Sequence, residues 1–167
     1  MKKYLLLLLV SFIMLPISAQ QMKIGYFSYN AVLKAMPDYL NATASIENLK
    51  KQYDTEIQMA QKDFNDKYEN FIENQSGMAD AIREKRQSEL QSLLERNTAF
   101  KQESERLLAK AEEEAFAPIR TKLDNAVRAL GSERDFIAIL NTDNNAAPYI
   151  NPAMGEDVTE ILINKIR

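Results

Sequence analysis

A single stripe of apolar side chains constrains the fold of this chain more than any other feature of its sequence. Its members are Ile46, Leu49, Tyr53, Ile57, Ala60, Phe64, Tyr68 and Phe71, at intervals of 3, 4, 4, 3, 4, 4 and 3 residues. This spacing places all of these side chains on one face of an α-helix. The stripe repeats about every eleven residues, a period that favours a nearly straight or slightly right-handed coiled coil. The sequence therefore predicts a long helical rod.

The rod is predicted to fold back on itself at a polar turn near residues 74–78. Gly77 can adopt the left-handed conformation that often ends a helix. A second helical segment then covers residues 78–117, where Pro118 should kink or break it. Because this segment and the first arm, residues 38–74, are nearly equal in length, we predict an antiparallel helical hairpin about 55 to 60 Å long.

Three apolar segments outside the hairpin are predicted to be strands: Lys23–Phe27, residues 134–140 and Pro148–Ile150. The run at 134–140 is apolar without alternation, which is typical of a strand covered on both faces. Gly131 lies just before this run and is predicted to end the preceding helix. The strands from the two ends of the chain are expected to meet in one sheet.

A final helix is predicted after Asp157, whose pairing with Glu160 resembles a capping box. Its apolar face consists of Val158, Ile161, Leu162 and Ile166. Residues 20–37 and 118–167 would then form one small β-rich body, into which the hairpin, residues 38–117, is inserted. The predicted fold class is α+β and mainly helical.

The predicted body is small enough to need a partner. With about 65 residues and no disulfides, it is near the lower limit for an independent core, so we expect oligomerisation through the body. The candidate residues for this association are Ile24, Tyr26, Phe136, Ile137, Ile139, Tyr149 and Ile150.

Residues 1–19 are predicted to be an export signal. Lys2 and Lys3 precede an apolar run at residues 5–15, and this pattern is typical of a secretory signal peptide, here cleaved after Ala19. A retained membrane anchor is the alternative, but the run is shorter than the roughly 20 residues needed to cross a bilayer. Cleavage removes two lysines and lowers the formal net charge from −3 to −5.

The composition excludes most enzyme classes. The chain has no histidine or cysteine and only 4 glycines, so it lacks imidazole bases, thiolate nucleophiles and a glycine-rich phosphate loop. The acidic run Glu112–Glu114 is predicted to lie on a solvated helix face. Residues 41–118 contain 11 basic and 16 acidic side chains, and a net acidic arm disfavours nucleic acid or an anionic membrane as the partner. We therefore predict no enzymatic activity, no metal and no cofactor.

The two arms would pack along one surface, here called the seam. This seam is predicted to contain few apolar side chains. In the second arm, Arg86, Asn97 and Ser104 occupy positions where apolar residues would be expected. Some apolar surface should therefore stay exposed and form a weak, adaptable binding surface. Its candidate residues are Phe64, Tyr68, Phe71, Ile72, Met78, Ile82, Leu90, Leu93, Leu94 and Phe100. The alternative for each of these residues is that it only closes the seam.

Several short segments resemble one protein family. They are Lys23–Tyr26 with Ala31–Leu33 and Met36–Pro37, then Ala117–Ile119 with Lys122, Ala126 and Val127, and finally Phe136–Leu140, Ile150 and Asp157–Thr159 with Leu162. In this order, around a helical hairpin and behind a signal peptide, they resemble the Skp/OmpH-like periplasmic chaperones of Gram-negative bacteria.

The resemblance implies a homotrimer in which small β-rich bodies associate and three hairpins project around a cavity. It also implies an ATP-independent holdase that binds unfolded outer-membrane β-barrel precursors in the periplasm. Well-known members of the family are basic, whereas this mature chain is acidic. We therefore expect clients to be bound through apolar contact more than through charge, and we expect little attraction to lipopolysaccharide or to the membrane surface. The alternative function is a non-catalytic coiled-coil adaptor or spacer of the envelope, which would need a well-packed seam.

Overall fold

The computed structural model describes residues 22–167, so the predicted signal peptide and its predicted cleavage position lie outside the described residues. The elements are β1 (Lys23–Phe27), α1 (Tyr29–Ala35), α2 (Pro37–Asn74), α3 (Asp80–Glu133), β2 (Phe136–Asn141), β3 (Gly155–Asp157) and α4 (Thr159–Ile166). Two short 3₁₀ turns, Gln75–Gly77 and Asp143–Asn145, complete the fold. Long helices with a small sheet confirm the predicted α+β, mainly helical class.

The predicted helical hairpin is confirmed. It consists of α2 and the N-terminal part of α3, which pack against each other along the seam. Pro37 stands in the first turn of α2, where its missing N–H costs nothing. Along α2 the predicted stripe is half-buried, as at Leu49 and Ile57, while most of the residues between its members are exposed. The hairpin therefore has one narrow apolar contact line.

The predicted left-handed glycine at the turn is wrong. No glycine among residues 22–167 has a positive φ, and Gly77 belongs to a 3₁₀ turn that follows α2 directly. The N–H of Met78 donates to the carbonyl of Gln75 at 3.3 Å. A 3₁₀ turn satisfies part of the last carbonyls of a helix without any left-handed residue, which explains the difference.

Of the kink or break predicted at Pro118, the break is wrong, because α3 continues through this residue and is 54 residues long. Pro118 is exposed, whereas Ile119 and Leu123 next to it are buried in the core. Proline inside a helix costs about 3 kcal/mol, and burial of two large aliphatic side chains contributes about 3 to 6 kcal/mol. Core packing therefore keeps the helix continuous from the arm into the body.

The helix does not end at Gly131, as was predicted, but at Glu133. Asp135 then adopts φ of 54°, in the left-handed region. Aspartate tolerates this conformation better than most residues. The reversal between α3 and β2 thus occurs at an aspartate instead of a glycine.

The sheet has the order β2–β1–β3, and both pairs are parallel. The prediction that β2 is covered on both faces is wrong for the described chain, because side chains on one of its faces are exposed. β2 is also an edge strand of the sheet. Phe136 and Ile139 pack on the core, but Ile137 is 59% and Leu140 37% exposed. Within the described chain, helices reach only one face of this strand.

The third strand is not Pro148–Ile150, as predicted, but β3. Asn151 interrupts the extended run, because its carbonyl accepts hydrogen bonds from the N–H groups of Met154 and Gly155 at 3.0 and 2.8 Å. Gly155 is required there, since a Cβ would lie 2.4 Å from Ile150 Cγ2 and 3.3 Å from a ring carbon of Tyr26. The turn at Asn151 thus moves the strand towards the C-terminus.

The core of the body joins all its helices. Val32, Met36, Leu123, Leu130, Val158 and Leu162 are the most deeply buried side chains. The apolar face of the last helix is confirmed, but its capping box is wrong. Asp157 Oδ1 accepts hydrogen bonds from the N–H and hydroxyl of Thr159, at 2.9 and 2.6 Å. The N-cap of α4 is Val158, which has no capping side chain, so Asp157 and Glu160 do not occupy the N-cap and N3 positions that a capping box requires.

Candidate functional site in the distal arm

The distal end of the hairpin is divided into two grooves by a thin layer of side chains. Phe71 from α2 and Leu90 from α3 line both grooves. Phe71 is buried, and it is the only residue of α2 with that degree of burial. The distal arm therefore presents two separate surfaces.

The first surface, the charged groove, has a volume of about 500 Å³. It is lined by Lys67, Asn70, Phe71, Met78, Arg86, Glu89, Leu90, Leu93 and Arg96. Arg86 Nη1 lies 2.8 Å from Glu89 Oε2, and Lys67 Nζ lies 2.6 Å from Asp63 Oδ2. Two of its cations are thus already paired with carboxylates of their own helix.

The second surface, the uncharged groove, has a volume of about 390 Å³. It is lined by Phe64, Tyr68, Phe71, Ile72, Gln75, Gln87, Leu90, Gln91 and Leu94. The rings of Phe64 and Tyr68 stack with centroids 5.9 Å apart and an interplanar angle of 15°. This groove is apolar with a border of side-chain amides.

The candidate binding residues differ in their exposure. Tyr68, Ile72 and Leu94 are 47%, 44% and 43% exposed and line the uncharged groove. Ile82 and Phe100 are also exposed but line neither groove. The half-buried candidates are Phe64, Met78, Leu90 and Leu93. Phe71 is buried, so its main contacts are within the seam.

Two of the three polar seam positions are satisfied by hydrogen bonds. Asn97 Nδ2 donates to the carbonyl of Ala60 on the opposite arm at 2.9 Å. Ser104 is buried, and its hydroxyl donates to the carbonyl of Phe100 at 2.8 Å. Arg86 is exposed and pairs with Glu89. The seam is thus narrow but has a defined register.

Sequence reasoning missed the amides of the uncharged groove. Gln87, Gln91 and Leu94 lie at i, i+4 and i+7 of α3, on one helix face. Gln75 faces them from the turn. The spacing was a usable signal, but glutamine on an exposed helix usually indicates only solvation. A search for apolar residues therefore identified the apolar lining of the groove and missed the amides at its border.

The body carries the candidate association residues at and near its sheet. Ile24, Tyr26, Phe136, Ile139 and Ile150 are half-buried. Ile137 and Tyr149 are exposed, Tyr149 to 78%. The exposed members lie on β2 and in the loop after it, which gives the sheet an apolar open edge.

The shifted pKa values of the described chain belong to groups outside both grooves. Hydrogen bonds from Arg106 lower the pKa of Glu103, and the same pair raises the pKa of Arg106. The hydrogen bond to Asp66 raises the pKa of Lys62, and partial burial raises the pKa of Tyr29. Residues 22–167 contain no group of histidine, cysteine, aspartate or glutamate side chains that could hold a metal ion.

The sequence matches the family described as outer membrane protein (OmpH-like) over residues 23–166. The chain belongs to the OmpH-like family. This membership confirms the family suggested by the sequence segments. No curated protein shows significant sequence similarity to this OmpH-like chain. None of the helices between residues 22 and 167 combines the length and apolar character needed to span a bilayer.

A solved structure shares the fold of this OmpH-like chain. It is the crystal structure of a protein from Caulobacter crescentus CB15 described as an outer membrane chaperone (OmpH-like). The two superpose with a TM-score of 0.71 at 14% sequence identity, over 87% of this chain and 83% of the other. At this identity the likeness establishes the fold, including the long helical arm on a small sheet.

Proposed function

We propose that this chain is an ATP-independent holdase that binds unfolded outer-membrane β-barrel precursors through its distal arm. The observation that carries the proposal is the uncharged groove, where Tyr68, Ile72 and Leu94 stay exposed far from the core of the body. Contiguous apolar surface of this kind on a folded chain is typical of a binding site. Membership of the OmpH-like family, and the chaperone name of the similar structure, support the same function.

Binding of this type depends on several weak contacts acting together. One groove offers only a few apolar side chains, so its affinity for a client segment should be low. Several arms around one cavity would raise the effective concentration of each groove for the next client segment. The proposal therefore includes assembly, and we propose the homotrimer that the family resemblance implies.

The open edge of the sheet supports assembly through the body. Strand β2 exposes Ile137 and Leu140 next to unpaired backbone groups. An exposed apolar edge strand tends to pair or to be covered. Contact between the bodies of neighbouring subunits would cover it and would leave the arms projecting on one side.

The proposed location is the periplasm, after cleavage of the predicted signal peptide behind Ala19. The family description names an outer membrane protein, which supports a location in the cell envelope. A holdase only shields apolar segments until they are transferred, so it needs no ATP. We accordingly propose no catalytic step, metal or cofactor.

The first experiment compares matched pairs of exposed residues. A urea-unfolded outer-membrane β-barrel protein is diluted into buffer with the mature chain, and the mass of the complex is measured by size-exclusion chromatography with light scattering. The variant Tyr68→Ser with Leu94→Ser should keep the native oligomer but retain several-fold less client. The control, Leu40→Ser with Met59→Ser, removes two apolar side chains elsewhere on α2 that are even more exposed, and it should retain client as the native chain does.

Two outcomes would contradict the proposal. A native chain that lets the client precipitate has no holdase activity. Equal retention by the groove variant and the native chain would place client binding outside the uncharged groove. The serine variants are suitable because all four side chains are exposed, so their replacement leaves the core intact.

A second candidate function is an envelope adaptor in which the hairpin acts as a rigid spacer. The cross-arm hydrogen bond from Asn97 to Ala60 favours it, because a spacer needs a fixed register. Capture of one folded envelope protein, together with no retention of unfolded client, would select the adaptor over the holdase.

A further inference from the structure

The two grooves of the distal arm differ in charge although they share a wall. The charged groove contains three cations and one carboxylate, whereas no lysine, arginine, aspartate or glutamate lines the uncharged groove. Charged residues make up 27% of the whole sequence, so a neutral groove of this size on an exposed helical arm needs an explanation. Phe71 and Leu90 keep the two environments apart.

We propose that the uncharged groove binds an extended, uncharged segment of the client about five residues long. The apolar side chains of the segment would lie against Tyr68, Ile72 and Leu94, and its main chain would hydrogen-bond to the side-chain amides of Gln87 and Gln91. The inference rests on the proposed holdase function and names the kind of client segment that this arm selects.

The dimensions of the groove set the length of the segment. From Phe64 in α2 to Gln75, the residue directly after this helix, the chain rises about 16 Å. The facing row on α3 extends from Leu94 back to Gln87. An extended chain rises about 3.3 Å per residue. A helical segment is about 10 Å wide with its side chains and fits a shallow groove between two helices less well than a strand does.

The absence of charge in the groove determines which segments bind. A charged client side chain that enters it loses water and meets only apolar groups and amides, which costs free energy because no opposite charge compensates it. A neutral segment has no such cost. Selection against charge therefore operates through desolvation and not through attraction.

The amides explain how such a groove could serve many sequences. Every residue of an extended segment has a backbone N–H and C=O that need partners when water is excluded. A glutamine side chain offers both a donor and an acceptor, so it can pair with either group. Gln91 Nε2 donates to Glu95 Oε1 at 2.8 Å, which orients the amide and leaves its oxygen directed away from Glu95. Main-chain contacts of this kind do not depend on the client side chains.

The test uses fluorescent seven-residue peptides that alternate apolar and small polar residues. One peptide is neutral, a second carries two aspartates and a third carries two lysines in place of small polar residues. We expect the mature native chain to bind the neutral peptide about 10-fold more tightly than either charged one, as measured by fluorescence anisotropy. Circular dichroism verifies that each variant keeps its helix content.

Two matched pairs of substitutions locate the site. Gln87→Glu with Gln91→Glu adds charge without a change in size and should weaken binding of the neutral peptide about 10-fold. Gln87→Leu with Gln91→Leu keeps the groove neutral but removes the amides, and should weaken it about 3- to 10-fold. Arg86→Gln with Glu89→Gln removes charge from the other groove and should change it less than about 2-fold.

Several results would overturn the inference. Undiminished binding of the neutral peptide by the Gln→Glu pair excludes the groove, and undiminished binding by the Gln→Leu pair excludes the amide contacts. Tightest binding of the acidic peptide, lost in the Arg86→Gln pair, would assign the charged groove instead. In each case retention of unfolded client by the native chain would still support the holdase, whereas failure to bind both peptide and client would refute the proposed function itself.

Discussion

Asn97 is the residue that fixes how the two arms face each other. It occupies an apolar position of the seam and donates from Nδ2 to the carbonyl of Ala60 at 2.9 Å. A slip of the arms by one helical turn would break this bond and leave a partly buried amide unpaired, which costs about 1 to 3 kcal/mol. A polar seam residue of this type reduces stability in exchange for a single register.

We predict that Asn97→Ala lowers the free energy of unfolding by about 1 kcal/mol, because one net hydrogen bond is lost. Urea unfolding followed by circular dichroism at fixed protein concentration measures the change. The control is Thr98→Ala, since Thr98 is exposed and its hydroxyl donates within its own helix to Leu94. A loss at Thr98 equal to that at Asn97 would show that the cross-arm bond has no special role.

The residues of the candidate site could be predicted only in part. Tyr68, Ile72 and Leu94 could be predicted, because they are apolar residues on long helices that offer few partners to bury them. The buried position of Phe71 does not follow, because the stripe gives no indication of where the two arms come closest. Gln87 and Gln91 were missed because a neutral polar side chain shows its role only when a structure places it beside aromatic rings.

Helix α3 is the element that joins arm and body. It continues through Pro118 because Ile119, Leu123 and Leu130 bury their side chains in the core. The arm is therefore the extension of a core helix and does not need a separate linker. Proline at an exposed position of such a helix removes one hydrogen bond and a fraction of the stability.

We predict that Pro118→Ala raises the free energy of unfolding by about 1 to 3 kcal/mol, because alanine restores the missing hydrogen bond and the best helix propensity. Thermal and urea unfolding are both suitable measurements. Pro152→Ala, outside any helix, is the control and should change stability by less than about 0.5 kcal/mol. A destabilised Pro118→Ala chain would mean that the helix is held in a bend that the core requires.

Strand β2 is the element whose apolar edge stays exposed in the described chain. We predict that Ile137→Lys shifts the protein from the proposed trimer towards monomer, because a charge on this apolar edge opposes its burial. Light scattering measures the mass, and Ala146→Lys, at an exposed position of the following loop, is the control. An unchanged mass for Ile137→Lys would place the subunit contact elsewhere.

Local patterns predicted the elements well where local interactions decide them. The strand at Lys23–Phe27 and the hairpin turn after Asn74 follow from residue type alone. The helix end at Gly131 and the break at Pro118 were wrong because packing of the core overrides local propensity. The prediction that both faces of β2 are covered by its own chain was wrong, because an apolar run looks the same whether its own chain or a second subunit covers it.

At the level of the whole molecule, charge and apolar surface are separated. Many charges of the arms lie in exposed pairs three or four residues apart, such as Lys62 with Asp66 and Arg106 with Glu103. Such solvent-exposed pairs contribute little to stability and chiefly keep the arms hydrated. No charged side chain lines the uncharged groove, so removing water from it costs little free energy.

We predict that client retention changes by less than about 2-fold between about 0.05 and 0.5 M sodium chloride, because apolar contact is not screened by salt. Retention is measured by light scattering of the complex at each salt concentration. The matched reference is the acidic peptide, whose weaker binding should fall further as salt rises if it uses the charged groove. A steep loss of client retention with salt would show that ion pairs hold the client.

The order of strands in the sheet has a consequence for how the chain is made. The central strand, β1, comes first in the mature sequence, while both of its partners, β2 and β3, come after the whole arm. Contacts so distant in sequence form late in folding, whereas the arm needs mainly local contacts. During synthesis from the N-terminus the hairpin is therefore complete before either partner of β1 exists, and a chain truncated before β2 never completes the sheet. Only the full-length polypeptide can present the edge through which we propose that subunits join.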